Sequence, residues 1–232
     1  MAAMASPGSA PDPALEVAAR AAIVAAGRRL RAAGLVAATE GNLSARVGGD
    51  WLLITPSGRR KDELSVDDLT VVGTGADGPA DGPAGSARAA SSDVAIHRAV
   101  YAARPDITAV VHAHLPASMG LTLAGEIPDP AALPETKLFL GSLPFLPFGE
   151  PGSTELAGRV AAALGGADRD GRLPVAVLLE RHGAVAVGSG DVAAAIAQAV
   201  DRLELVEVLC RTSLDALLVR AARAAVGSSG RA

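Results

Sequence analysis

The sequence predicts a single α/β domain, on three observations. Strand-like and helix-like segments alternate from about residue 13 to residue 222, no linker divides them, and 232 residues suffice for one domain with a sizeable core. Half of the residues are hydrophobic and 20% are charged, an ordinary balance for a globular chain.

The elements follow in order. Residues 1–12 read as a flexible tail ahead of a helix from Pro13 to Ala33, which Gly34 closes in the left-handed position favoured after a helix. Glu16 and Arg20 break the apolar stretch here and no basic segment precedes it, which speaks against a signal peptide. Two short strands, Leu43–Val47 and Trp51–Thr55, flank Gly48-Gly49-Asp50, and DLTVV (68–72) reads as a third. The Gly/Pro-rich GTGADGPADGPAGSARAA (73–90) is expected to be a mobile surface connection. SSDVAIHRAVYAARP then reads as a helix over 91–104, capped by Ser-Ser-Asp and ended by Pro105.

AVVHAHL (109–115) reads as a strand, and an Ala/Leu-rich helix runs from it to about Gly125. The Pro-rich stretch 127–151 holds one further strand, in LPFLPF. Ser153, Thr154 and Glu155 open the helix STELAGRVAAALG, and VAVLLERHGAVAVG (175–188) gives two β runs broken at Arg181-His182-Gly183. The last helix is expected from Asp191 to Ala222, with apolar residues at 192, 196, 199, 203, 206, 210, 214 and 217 forming one face. Residues 223–232 are then a tail.

Charge and composition exclude several classes. A net charge of −4 argues against a nucleic-acid binder that works through the phosphate backbone. Cys210 is alone, so no internal disulfide can form, and a reducing cytoplasm suits the chain. No apolar run reaches the roughly 18 residues that read as a membrane span, so a soluble protein is expected.

The histidines raise the chemical question. Residues i and i+2 of a strand face one way, so His112 and His114 would present two imidazoles side by side. Two strand histidines satisfied by ordinary hydrogen bonds would be one account. A shared metal ion is the other, with His182 in ERHGAV the best third ligand. Ser91 and Ser92, at a helix start, could hold an anion or could simply be caps, and Asp93 sets a carboxylate beside them. His97 follows Asp93 by one turn and reads as structural, held by that carboxylate. Gly41-Asn42 and Ser57-Gly58 lie in loops beside strands, where they serve as turn residues or as further donors to a phosphate.

Taken in order, the GNLS, ITPSG, SSD-x3-H, AVVHAH and RHG segments resemble the class II aldolase/adducin family over residues 15–215. The resemblance implies a three-layer α/β/α fold around a mostly antiparallel sheet. It further implies a homotetramer with active sites between subunits. It places a zinc ion, or Mn2+ or Co2+, on His112, His114 and His182, and a sugar phosphate on Gly41, Asn42, Ser57, Gly58, Ser91 and Ser92. Asp93 stands where the family's aldolases carry a glutamate, as the group that transfers a proton and can also ligate the metal. The only tyrosine, Tyr101, is not at the position of the family's tyrosine proton donor, leaving Glu135 or a water to substitute. The expected activity is a zinc-dependent aldolase that reversibly cleaves a ketose 1-phosphate, of the fuculose 1-phosphate type, to dihydroxyacetone phosphate and an aldehyde. A pentulose-5-phosphate 4-epimerase and a methylthioribulose-1-phosphate dehydratase are the alternatives within the family. An adducin-like interaction domain without catalysis is the alternative of another class, and the three histidines argue against it.

Overall fold

Alternate residues of a strand face opposite ways, and in the central strands of this chain both sets are apolar, so each face of the sheet must be covered. The computed structural model describes residues 10–75 and 89–229, with side chains through residue 226. The predicted connection over 73–90 and the predicted N-terminal tail fall largely outside these residues.

Asp12 caps helix α1 (Pro13–Ala32), its side chain accepting from the amides of Ala14 and Leu15. Strands β1 (Asn42–Arg46), β2 (Trp51–Ile54) and β3 (Thr70–Gly73) form an antiparallel meander. Helix α2 (Val94–Ala103), strand β4 (Ile107–Ala113) and helix α3 (Pro116–Leu123) follow. The Pro-rich stretch contains the predicted strand, β5 (Phe145–Leu146), and also a short helix, α4 (Pro134–Phe139), that the sequence reading did not include. Helix α5 (Thr154–Gly165) begins at Ser153, whose hydroxyl accepts from the Leu156 amide. Strands β6 (Ala176–Leu179) and β7 (Gly183–Ser189) flank the Arg181-His182 turn, and α6 (Val192–Ser229) ends the described chain.

The seven strands are ordered β3-β2-β1-β4-β7-β6-β5, antiparallel throughout except for the β5–β6 pair. One face packs Leu43, Leu53, Val111 and Ala186 against α1, α3 and α6; the other packs Leu52, Val110, Val185 and Val187 against α2 and α5. The architecture is the expected three-layer sandwich with a mostly antiparallel sheet. Among the described residues no helix is long and apolar enough to cross a membrane.

Two boundaries differ from expectation. Helix α2 starts at Val94 rather than at Ser91, because Ser91 is drawn into pairing with the β2 end: its amide donates to the Thr55 carbonyl. Helix α6 runs to Ser229, past the expected end at Ala222 and into the segment read as a tail. Its apolar face is buried from Val192 to Cys210 and partly covered at Leu214 and Leu217, whereas Leu218, Val219 and Val226 are exposed.

Helix α3 has no cap of its own, and α6 supplies one. The buried Glu207 carboxylate accepts from the Ala117 amide through both oxygens, at 3.1 and 3.0 Å, and also receives the Arg211 guanidinium. Glu207→Ala is expected to destabilise the fold by about 1.5–3 kcal/mol, the scale of a hydrogen bond to a charged group. Urea denaturation of the two proteins measures the difference, and Glu204→Ala, at a more exposed ion pair, should cost less.

Candidate active site

Antiparallel pairing gathers distant segments at one end of the sheet. Asn42 opposes His112, Ser44 opposes Ile54, and Ala113 opposes Ala184. The loop before β1, the turn after β2, the end of β4 and the β6–β7 turn therefore meet there. Backbone bonds from Ser57 to the Ala89 carbonyl and from Ser91 to the Thr55 carbonyl bring in the segment ahead of α2. The result is a cleft of about 370 Å3 lined by Gly41, Asn42, Ser57, Gly58, Ser91, Ser92, Asp93, His114 and His182, among others. Every predicted phosphate-binding residue lies in its wall.

His112, His114 and His182 converge, with ring centroids 4.7–5.0 Å apart and one possible ligand atom from each within 4.8 Å of the others. His112 is the last but one residue of β4, and His114 lies just beyond the strand end rather than within it. The Nδ1–H of His112 donates to the Ala184 carbonyl at 3.0 Å, which leaves its Nε2 lone pair facing the cluster. That Nε2 and the Nδ1 of His182 are buried without a hydrogen-bond partner. Buried nitrogens in that condition are rare unless something absent from the protein chain engages them. Burial first, then the His182 and His114 rings, holds His112 well below the ordinary histidine value, and burial followed by His114 lowers His182. Two imidazoles kept uncharged, His112 and His182, each with an unpartnered nitrogen, together with His114 make a donor set that fits a divalent cation. Asp93 lines the same cleft, but its carboxylate is not among the three converging ligands. Glu40 lies 3.4 Å from Nδ1 of His114.

The convergence depends on a close backbone approach. A Cβ on Gly183 (φ +103°) would lie 2.1 Å from the Ala113 carbonyl oxygen and 2.6 Å from the His114 Cα. Arg181, before His182, has φ +58° and is held there by its amide, which donates to Thr122 Oγ1 at 3.0 Å.

Three placements differ from expectation. His97 is structural as expected, yet Ser44 and Asn42 hold it, not Asp93. Glu135 is exposed on α4 and lines a different groove with Phe139 and Leu205, so it is not among the groups of this cleft. The cleft also holds a strong charge that sequence reasoning missed, Lys61. Its side chain is buried, its Nζ donates to the carbonyls of Thr39 and Arg59, and burial lowers it to about 8. Within Arg59-Arg60-Lys61-Asp62-Glu63 it looks like one more solvated charge, and no signal in that run singles it out.

Comparison with known proteins supplies the family. Residues 21–214 match the family model for the class II aldolase and adducin N-terminal domain. The chain belongs to the class II aldolase/adducin family. It is 36% identical over 196 residues to a 5-methylthioribulose-1-phosphate/5-deoxyribulose-1-phosphate aldolase of Rhodospirillum rubrum, covering 84% of this chain and 81% of the relative. It is 33% identical to a methylthioribulose-1-phosphate dehydratase of Gluconacetobacter diazotrophicus, covering 83% and 91%. The crystal structure of L-fuculose-1-phosphate aldolase from Thermus thermophilus superposes with a TM-score of 0.75 at 30% identity, over 89% of this chain and 97% of that one.

Two outcomes test the site. Gly183→Ala is expected to lower bound divalent metal well below that of the wild type, measured by elemental analysis, because the turn carrying His182 must move away from His114. Lys61 is charged below a pH of about 8 and neutral above it. Competitive inhibition by inorganic phosphate should therefore weaken as pH rises through that value. Lys61→Met should remove this dependence and weaken phosphate by about tenfold or more at pH 7, the scale of one hydrogen bond to a charged group.

Proposed function

We propose that the protein is a zinc-dependent aldolase that reversibly cleaves a ketose 1-phosphate to dihydroxyacetone phosphate and an aldehyde. The observation that carries this reading is the sharing of one cleft by two unlike sites. At one side of it three imidazoles converge, two of them (His112 and His182) with an unpartnered buried nitrogen, and its wall also holds Ser57, Gly58, Ser91, Ser92 and the buried cation Lys61. A phosphorylated sugar has matching parts: a phosphate for the hydroxyls, amides and ammonium, and adjacent carbonyl and hydroxyl oxygens for a metal held by His112, His114 and His182. When bound, a zinc ion supplies Lewis-acid stabilisation of the negative charge that bond cleavage leaves on those oxygens.

The chain's own residues do the rest. The phosphate anchor fixes the reacting carbons relative to the histidines, converting a collision into a positioned reaction. In retro-aldol cleavage the proton lost by the C4 hydroxyl and the proton gained by C3 balance. Asp93, a half-turn from Ser91 and Ser92, takes the first and delivers the second, with no tyrosine in the described wall of the cleft. A homotetramer belongs to the same proposal, supported by the exposed apolar side chains of Leu138, Phe139, Leu218 and Val219. So does a cytoplasmic setting, which a buried, unpaired Cys210 suits.

The relatives of methylthioribulose-1-phosphate chemistry favour a pentulose 1-phosphate with an apolar fifth position over fuculose 1-phosphate. Two of them differ in reaction, aldol cleavage against dehydration. Incubation with 5-methylthioribulose 1-phosphate and 5-deoxyribulose 1-phosphate, followed by mass spectrometry, separates these outcomes. Release of dihydroxyacetone phosphate, lost on chelation and restored by Zn2+, is the expected result; loss of one water from the intact substrate would make the protein a dehydratase. Asp93→Asn should lower kcat by about 10²-fold or more with KM little changed, the usual scale for a positioned acid or base. A rise confined to KM would return Asp93 to a binding role.

A further inference from the structure

Strand β1 and the segment Asp93–Tyr101 face each other in matched rows. Two residues along a strand advance about 6.7 Å and four along a helix about 6.0 Å. Asn42, Ser44 and Arg46 on one row therefore keep step with Asp93, His97 and Tyr101 on the other. The polar groups of the two rows alternate into one chain of hydrogen bonds, every member of which is buried up to the cleft wall. Asn42 Nδ2 donates to Asp93 Oδ2 at 2.9 Å, His97 Nε2 lies 2.5 Å from Asn42 Oδ1, Ser44 Oγ lies 2.6 Å from His97 Nδ1, and the Tyr101 hydroxyl lies 3.0 Å from Ser44 Oγ. Asn42, Ser44, Asp93, His97 and Tyr101 are each at most 8% exposed.

The directions of these bonds follow from the Asp93 end. A carboxylate only accepts, so Asn42 turns its NH2 to Asp93 and its carbonyl to His97. His97 must then carry its proton on Nε2. Burial lowers this histidine to about 4, so the ring is neutral and its Nδ1 accepts from the Ser44 hydroxyl. Ser44 is left to accept from Tyr101, whose phenol burial keeps protonated and whose single proton also faces the Thr108 carbonyl, at a longer 3.3 Å. With Oδ2 occupied by an N–H, Asp93 Oδ1, which accepts no hydrogen bond among the described residues, is the oxygen left for the cleft.

We propose that His97 is a positioning residue: through its Nε2–H it locks the Asn42 amide, and the locked amide aims Asp93 so that proton transfer runs through Oδ1 alone. The inference rests on the reading of Asp93 as the proton-transfer group. It gives Asn42 a different task from the phosphate contact expected of it, since its carbonyl and one amide hydrogen are already engaged inside the protein. A neutral residue of similar length that still offers N–H at the Nε2 position should keep the lock, whereas an apolar one should not.

The test has two arms. In metal-loaded, 15N-labelled wild-type protein, long-range 1H–15N spectra report which ring nitrogen of each histidine is protonated, and the His97 signals are assigned by their loss in His97→Gln. A protonated Nε2 with a bare Nδ1 is expected. A protonated Nδ1 overturns the proposal whatever the activity. In the kinetic arm, His97→Leu should lower kcat by about 10- to 10²-fold, the effect of misplacing a reacting group by a fraction of an ångström to one ångström. Its inhibition constant for inorganic phosphate should stay within about threefold of wild type, as expected of a residue that orients the acid–base group and not the phosphate. His97→Gln should recover most of the lost kcat. Equal kcat in His97→Leu and wild type, or no recovery in a folded His97→Gln, overturns the proposal. Failure of all ketose phosphates to react with wild type would instead count against the aldolase reading, and the tautomer measurement would still stand.

Discussion

Three histidines can meet around one point only because a strand end and a turn touch backbone to backbone at Gly183. With any side chain there, the turn would have to retreat from Ala113 and His114, and His182 would leave the other two rings. The support for that contact extends outward through the fold. Arg181 is held at positive φ by Thr122 of α3, α3 is capped by Glu207 of α6, and α6 is seated on the sheet by Ile196, Leu203 and Val206. The longest helix of the chain thus bears on a site to which it contributes no lining residue. Rigidity is the consequence: a site whose ligands sit on a strand end and a braced turn holds its geometry better than one built on free loops.

The two ends of the cleft use opposite electrostatic means. At the histidines, burial and the neighbouring rings hold His112 and His182 below the ordinary histidine value, so each can offer a lone pair. At Lys61, burial also disfavours charge and lowers the group to about 8, while its ammonium donates hydrogen bonds to two backbone carbonyls. On the proposed function, a low-dielectric cleft with a cation at one side and imidazoles at the other would orient a phosphorylated, carbonyl-bearing molecule before any chemistry occurs. The same hydrogen bonds tie the Thr39 and Arg59 segments together, so Lys61 shapes the cleft as well as charging it.

Where meaning lay in local pattern, the sequence was readable. Alternating and helical periodicities located nearly every strand and helix, and His-x-His, Arg-His-Gly and Ser-Ser-Asp marked the site because each couples reactive side chains to a turn or strand end. What escaped depended on contacts far along the chain. Ser91 looks like a helix cap, yet its amide is bound to Thr55 across the sheet end, which delays α2 by three residues. The i, i+4 spacing suggested Asp93 as the partner of His97, and the actual partners sit on β1, 53 and 55 positions away. Lys61 is hidden in a charged run because nothing in Arg-Arg-Lys-Asp-Glu shows that the third residue is the buried one. Helix α4 is six residues long in a Pro-rich stretch, too short to display a period.

The reading as a non-catalytic interaction domain meets a physical objection in the same histidines. Buried ring nitrogens with no partner cost about 1–3 kcal/mol each, and this fold holds two within one cluster. A domain that served only as a binding surface would be more stable with apolar side chains at 112 and 182, since the surrounding Val110, Val185 and Ala184 already make an apolar setting. The cluster makes energetic sense when something engages those nitrogens. A divalent cation would do so, and its binding would convert a local instability of the chain into binding free energy for the ion, which in turn would stabilise the folded protein in proportion to its occupancy.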